Sequence, residues 1–437
     1  MTGSTSRRRA GRLGAIVGAL AVVAVACSGG GGDGATETDD DAERNAIPGS
    51  NVLGEPIDQV TQTPGSLEEG VESGLRAVLE SRGNPEAFPE DMPASVDPAQ
   101  IFPGGPPPDG IPAIENPKFA PASDIDFLEG DEPVLAIEVD GEVRAYPIQI
   151  MTLHEIVNDT IAGRGITVTF CPLCNSAVAY ERQVGDRVLD FGTSGMLHNS
   201  ALVMYDRQTE SLWDHFTASA IVGELTGSKL EVIPLQTVGW ETFRDNNPDA
   251  LVLTRDTGFE AQMARYGQNP YSGYDDIDGG PNFPVAGSDD DRLRPMERIV
   301  TVSSDQLPKD LQAGAKPVAV VQEDLVKQGV LEVDMGGTTL TVWAEPGAAS
   351  ALETGTVRDG RDVGQTGVFV PNADGRQLTF ERRGDAFVDK ETGSRWNILG
   401  EATDGELAGT KLQSIPHLNT FWFAWAAFQP DTQIVES

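Results

Sequence analysis

Cys171-Pro172-Leu173-Cys174 places two thiols close together directly after the apolar run 166–170. Three chemistries use that spacing: thiol–disulfide exchange, ligation of a metal by two soft sulfurs, and a static clip. In thioredoxin-type sites the pair opens a helix whose amides hold the thiolate. Here residues 175–182 are small and β-prone and run into a Gly185-Asp186 turn, so a strand is expected and a thioredoxin fold is disfavoured. A closed zinc site needs two further ligands, and no second cysteine pair exists. In an oxidising compartment the pair is expected to rest as a small, reducible disulfide loop.

His154, His198 and His215 are the imidazoles available to these sulfurs. His154-Glu155-Ile156-Val157-Asn158 stops one residue short of the His-Glu-x-x-His zinc motif, because Asn158 holds the second histidine's place and is a poor zinc ligand. A zincin protease is therefore not expected. The stretch 151–158 reads as a short helix leading into the cysteine strand, which brings His154 toward the thiols as a proton acceptor or ligand. The candidate catalytic set is Cys171, Cys174 and His154. The same three residues form the candidate metal set for copper(I) or zinc in the alternative reading. No cofactor is otherwise indicated. Gly192-Thr193-Ser194-Gly195 lacks a residue needed for a hydrolase nucleophile elbow and reads as a turn or bulge, and no phosphate loop or dinucleotide fingerprint is present. Asp275, Asp276 and Asp278 do not follow calcium-loop spacing and read as a solvated acidic loop.

The elements that must hold these residues are mostly strands. Residues 134–139 and 142–146 alternate around an Asp140-Gly141 turn, and further hairpins are expected near Gly185-Asp186 and Arg207-Gln208-Thr209. A helix is expected over 66–82, followed by a Pro-rich arm. The strongest organisational signal is an internal repeat. Gly223-Glu-Leu-Thr-Gly-Ser-Lys-Leu matches Gly405-Glu-Leu-Ala-Gly-Thr-Lys-Leu, and Asp206-Arg-Gln-Thr-Glu-Ser-Leu-Trp213 matches Asp389-Lys-Glu-Thr-Gly-Ser-Arg-Trp396. Trp240 and Trp422 also fall in order. Laying 166–177 on 340–351 puts Glu345 opposite Cys171 and Ala348 opposite Cys174, so the fold is expected not to need the thiols. Trp213, Trp396, Trp422 and Trp425 read as core. The expected class is α+β and β-dominated: two diverged copies of one β-rich unit, 131–298 and 299–437, after a helix and Pro-rich arm over 51–130.

Composition and address narrow the function. The chain has 437 residues, with 31 Lys+Arg against 68 Asp+Glu and a formal charge of −37, so no nucleic-acid partner is expected. Arg7, Arg8, Arg9 and Arg12 precede a small and apolar run, 13–26, and then Cys27. This is a secretory signal over 1–26, and its junction resembles the lipobox of bacterial lipoproteins, with Cys27 lipidated after cleavage. Ordinary cleavage near Ala26 would leave Cys27 as a free thiol. Residues 27–50 read as a disordered acidic tether. An extracytoplasmic protein, lipid-anchored to the cell membrane, is expected.

Asp109-Gly-Ile-Pro-Ala113, His154-Glu-Ile-Val-Asn-Asp159, Val168-Thr-Phe-Cys-Pro-Leu-Cys174, Phe191-Gly-Thr-Ser-Gly195, Met204-Tyr-Asp-Arg207, Ser211-Leu-Trp213 and Phe421-Trp-Phe-Ala-Trp425 together resemble a bacterial family known as domain of unknown function 3179, from about Asp109 to the C-terminus. The resemblance implies that the family's recurrent histidine and cysteine positions fall on His154, Cys171 and Cys174. It carries no activity. Three functions stay open: a thiol–disulfide redox protein serving a thiol protein partner, a copper(I)- or zinc-binding protein, and a non-catalytic surface binding module.

Overall fold

Tight turns and β-branched residues build this chain as short antiparallel strands. The computed structural model describes residues 73–81, 88–286 and 290–436. The expected signal peptide over 1–26, Cys27, the expected tether over 27–50 and the first part of the expected 66–82 helix lie outside the described residues. Within that helix, α1 (Gly74–Ser81) is described, with Leu75 and Val78 buried.

The first copy opens with β1 (Ile101–Pro103) and β2 (Phe119–Pro121), both from the Pro-rich arm. There follow β3 (Pro133–Val139), β4 (Glu142–Pro147), α2 (Ile148–Met151), β5 (Ile156–Ile161), β6 (Arg164–Cys171) and β7 (Ser176–Glu181). A small hairpin, β8 (Gln183–Val184) and β9 (Arg187–Val188), leads to β10 (Phe191–His198), β11 (Ala201–Asp206), β12 (Leu212–Asp214) and β13 (Ser219–Val222). The copy ends with β14 (Glu231–Ile233), β15 (Leu235–Gly239), α3 (Trp240–Asn246) and β16 (Leu251–Leu253). A connection bearing α4 (Glu260–Met263) crosses to the second copy: β17 (Arg298–Val302), β18 (Val318–Val321), α5 (Gln322–Gln328), β19 (Val330–Met335), β20 (Thr338–Glu345) and β21 (Gln365–Val370). Then come β22 (Asn372–Ala373), β23 (Arg376–Gln377), β24 (Phe380–Arg383), β25 (Ala386–Asp389), β26 (Arg395–Trp396), β27 (Ala402–Asp404), β28 (Gln413–Ser414), β29 (Leu418–Phe421), α6 (Trp422–Phe428) and β30 (Gln433–Val435).

The two copies share one topology. Sheet order β15-β3-β4-β16 in the first recurs as β29-β17-β18-β30, β14-β7-β6-β5 as β28-β21-β20-β19, and β10-β11-β12-β13 as β24-β25-β26-β27. Even the parallel pair repeats, β16 with β4 and β30 with β18. Side chains repeat as well: the Trp213 indole donates to Asp206 at 2.9 Å and the Trp396 indole to Asp389 at 3.0 Å. β1 and β2 add edge strands to β10 and β16, where a proline's missing N–H costs no ladder bond. The arm is latched by Arg207, which holds Asp109 at 2.8 Å and Glu115 at 2.9 Å.

The copies meet reciprocally. β15 packs on β21 of the other copy, and the matching strand β29 packs on β7, a pseudo-two-fold arrangement. The approach is close enough that a Cβ on Gly239 would sit 1.8 Å from the Gly347 carbonyl oxygen, so only glycine fits. Among the described residues no helix is long and apolar enough to cross a membrane.

One correction concerns the repeat register. Glu345 does replace Cys171: each faces the first residue of the next strand, Gln365 and Ser176 respectively. Ala348 does not simply replace Cys174, because the tight turn 172–175 becomes a long loop, 346–364, in the second copy. Asn175 at φ 51° and Gly364 at φ 86° are the matching left-handed residues before the next strand.

Beneath the first copy's sheets lies a buried ion pair. The Arg182 guanidinium donates to Asp190 at 2.5 Å, to the Leu189 carbonyl at 2.9 Å and to the Asp159 carbonyl at 3.0 Å. Arg182→Met is expected to destabilise the fold by about 3–5 kcal/mol, because it leaves the Asp190 carboxylate buried without its cation. A fall in the denaturant midpoint at unchanged slope would register it, whereas an unmoved midpoint would show the pair to be dispensable.

Candidate functional site

Cys171 ends β6 and faces Ser176, the first residue of β7, across the tight turn that carries Cys174. Both cysteines are free thiols rather than a disulfide, and they are only 2% and 0% exposed. The Cys174 carbonyl is tied to the second copy, accepting from the Thr420 hydroxyl at 2.7 Å and the Phe421 amide at 3.2 Å.

A line of hydrogen bonds leaves the Cys174 sulfur. It lies 3.1 Å from Ser176 Oγ, which lies 2.8 Å from His215 Nε2, and His215 Nδ1 lies 3.2 Å from Thr169 Oγ1. The Thr169 hydroxyl donates to the Val178 carbonyl at 2.8 Å, so toward His215 it accepts, and Nδ1 carries the proton. His215 Nε2 is then an acceptor. The proton order follows: Cys174 S–H to Ser176, Ser176 O–H to His215. Burial pushes the Cys174 thiol well up, and the neighbouring Cys171 thiol adds to the rise. Burial also pushes His215 down to about 4, against a smaller opposing pull from Asp214. Both shifts keep the proton on sulfur while the site is closed.

His154 is not part of this line. Residues 151–158 are not one helix: α2 stops at Met151, Glu155 turns left-handed at φ 57°, and β-branched Ile156 and Val157 open β5. His154 Nδ1 donates to the Pro112 carbonyl at 2.7 Å, and Nε2 accepts from the Tyr266 hydroxyl at 2.6 Å. With both nitrogens committed, and burial pushing its pKa down to about 4, His154 is a neutral link between arm and body. The candidate trio Cys171, Cys174 and His154 is thus not assembled. Among the described residues no group of three or more His, Cys, Asp or Glu side chains gathers to hold a metal ion.

Sequence reasoning named His215 among the available imidazoles but placed His154 in the candidate set, and it gave Glu155 no role of its own. His215 follows Trp213 by two positions inside the duplicated block, where the second copy has Ile398; the copy-against-copy test applied to the cysteines would have found it. The other is Glu155, buried and left-handed where the second copy has Gly329, also left-handed at φ 90°. The equivalence is fixed by one shared bond: the Phe170 amide donates to the Glu155 carbonyl, and the Ala344 amide to that of Gly329. Burial alone lifts the Glu155 carboxyl to about 8. The hydroxyl of half-buried Tyr271 is held well up, by burial first and then by Glu155 and Cys171.

The second copy shows what the fold does without this chemistry. Thr169, Cys171, Ser176 and His215 are matched there by Trp343, Glu345, Gln365 and Ile398. Trp343 stacks on Phe387 with ring centroids 4.5 Å apart and fills the space with aromatic core. The polar line of one lobe gives way in the other to Trp343 and Ile398 beside a Gln365-to-Glu345 hydrogen bond of 3.0 Å.

Other motifs resolve structurally. Ser194 sits at a β-bulge, its hydroxyl donating to the Val203 carbonyl. Asp275 is not a solvated loop residue: it is buried and pairs with Arg298 at 2.8 Å and Arg361 at 3.2 Å, because two second-copy arginines reach over it. Trp213, Trp396, Trp422 and Trp425 are core.

No curated protein and no solved structure matches this chain. A family profile described as "Protein of unknown function (DUF3179)" does match, over residues 108–432, spanning both copies and the thiol turn. The chain belongs to that family.

Proposed function

We propose that the first copy is a thiol–disulfide exchange centre in which Cys171 and Cys174 cycle between dithiol and disulfide while Ser176 and His215 carry the proton. The observation that carries this reading is the line Cys174–Ser176–His215, kept in one copy and replaced by Gln365 and Ile398 in the other. In the cycle, the Cys171 sulfur attacks a partner disulfide, forming a mixed disulfide and releasing one partner thiol. Cys174 loses its proton through Ser176 to His215, attacks the Cys171 sulfur and expels the second partner sulfur as a thiolate. That thiolate takes the proton held by His215. Two electrons and two protons leave the dithiol, and a Cys171–Cys174 bond remains.

Burial makes the exchange gated, since neither sulfur meets solvent and the thiolate is disfavoured until the site opens. In this proposal Cys27 anchors the chain to the outer face of the cell membrane, and a thiol protein is the partner. The test is a thiol titration with a chromogenic disulfide on Cys27→Ser protein purified without chelator. Two thiols are expected to react slowly in native protein and faster as mild denaturant opens the site. Ser176→Ala is expected to slow the native reaction about tenfold or more while leaving the fully unfolded rate unchanged. Stoichiometric copper or zinc, lost in Cys174→Ser, would favour metal binding instead. Thiols that react only on global unfolding, without metal, would favour a binding module with an inert pair.

A further inference from the structure

In the second copy the place of the thiol centre opens to solvent. A cavity of about 380 Å³ lies there against the first copy's α3, and Glu345 and Ile398, which stand where Cys171 and His215 stand in the first copy, both line it. Its other walls are polar: Asp131, Glu241 and Asn246 from the first copy, and Asp385 in the β24–β25 turn. The shared fold thus leaves a mouth at this position unless something is added to fill it.

The first copy fills the same place in two independent ways. The pseudo-two-fold sets Met296, Phe423 and Phe428 where Asp131, Glu241 and Asn246 stand. One repeated bond fixes the match: the Phe423 amide donates to the Pro295 carbonyl as the Glu241 amide does to that of Gly130. Acid and amide side chains give way to a thioether and two phenyl rings. The β10–β11 hairpin also runs beyond its counterpart. β24–β25 ends with Arg383 opposite Ala386, matching Met196 opposite Val203, whereas the first copy goes on to Leu197 opposite Leu202 and His198 opposite Ala201.

The two additions meet in an aromatic stack. Phe428, half-buried at the end of α6, lies on Phe216 with ring centroids 4.9 Å apart and against His198 at 5.4 Å. His198 Nδ1 donates to Asp214 at 2.7 Å, and Phe216 in turn sets its ring against His215 at 5.8 Å. Phe216 and His215 are buried, so Phe428 is the outermost ring of the series. A half-exposed ring on the last residue of a helix can swing out without unpairing a strand or stranding a polar group, which is how low-stability local openings arise.

We infer that Phe428 and the extended hairpin tip form a plug over the thiol centre, and that a partner disulfide reaches Cys171 through this mouth, between the hairpin tip and the end of α6. The partner rests on the exchange reading above; the plug does not. The copy that holds the reactive atoms is the copy that has gained the cover.

Alkylation by iodoacetamide, which needs no exchange step, reads the plug directly in Cys27→Ser protein. Cys171 and Cys174 are expected to alkylate slowly, and Phe428→Asn, which installs the residue found at the end of α3, to speed them about tenfold or more. Phe216→Leu, which installs the residue type of Leu399, should act in the same direction and more weakly. Phe387→Leu, in the aromatic core of the second copy, measures what loss of global stability alone contributes. Alkylation in Phe428→Asn no faster than in Phe387→Leu overturns the inference, and should Phe428→Asn fail to fold, Phe216→Leu decides by the same comparison. Faster alkylation there with unslowed exchange in Ser176→Ala keeps the plug and removes the proton line; the converse pair of results removes the plug and keeps the line.

Discussion

Glu155→Gln is expected to raise the stability of the protein strongly at pH 8 and hardly at all at pH 4.5. Burial holds the folded carboxyl up at about 8, against an ordinary value of 4.5. The folded state therefore grips this proton more tightly than the unfolded chain does. Its contribution is fully present below 4.5 and is lost as pH rises toward 8, because the unfolded chain ionises first. At about 1.4 kcal/mol per pH unit, the loss reaches roughly 4 kcal/mol by pH 8. Glutamine keeps the size and cannot ionise, so the variant's denaturant midpoint should stay level across the window in which the native midpoint falls. A native midpoint equally level would remove Glu155 as a buried acid. Glu155→Gly should go further at every pH, adding about 1–2 kcal/mol by relieving the left-handed backbone that Gly329 occupies without strain in the second copy. A buried carboxyl held up at about 8 is poised to exchange a proton near neutrality.

His215→Ile should reduce thiol–disulfide exchange by about 10²–10⁴, the usual worth of a positioned proton acceptor. The fold should survive, for Ile398 occupies this place in the second copy. No polar group is stranded: Ser176 keeps the Cys174 sulfur as partner and Thr169 keeps the Val178 carbonyl. Stopped-flow mixing with a model disulfide at pH 7, beside a thermal melt, checks both halves. Exchange at the native rate would take the imidazole out of the reaction. A collapsed melt would make His215 a structural residue first.

Much of the architecture was legible because it is written twice. Gly223-to-Leu230 against Gly405-to-Leu412 and the paired Asp-to-Trp blocks are long enough to fix the copies, and both strand order and indole-to-carboxylate bonds follow them. The β3 and β4 hairpin was plain from alternation around Asp140-Gly141. What could not be read was long-range. His154 lies closer in sequence to the cysteines than His215 does, yet it is drawn away by Pro112 in the arm and Tyr266 in the connection between copies. His215 arrives from β12's end because β11 and β12 fold back over the β6 and β7 pair. Helical spacing in 151–158 misled for a local reason: a left-handed residue at Glu155 breaks the pattern, and nothing in a glutamate announces that conformation.

The reciprocal seam, β15 on β21 and β29 on β7, is the surface that two identical half-length chains would bury against each other. In such a homodimer every substitution lands in both partners at once, so a lobe losing its sulfurs would cost its twin the same atoms. Joining the halves into one polypeptide releases that constraint. Descendants of such a fusion can specialise unequally: one lobe keeps reactive atoms, and its sibling becomes a buttress with a fixed stoichiometry of one to one.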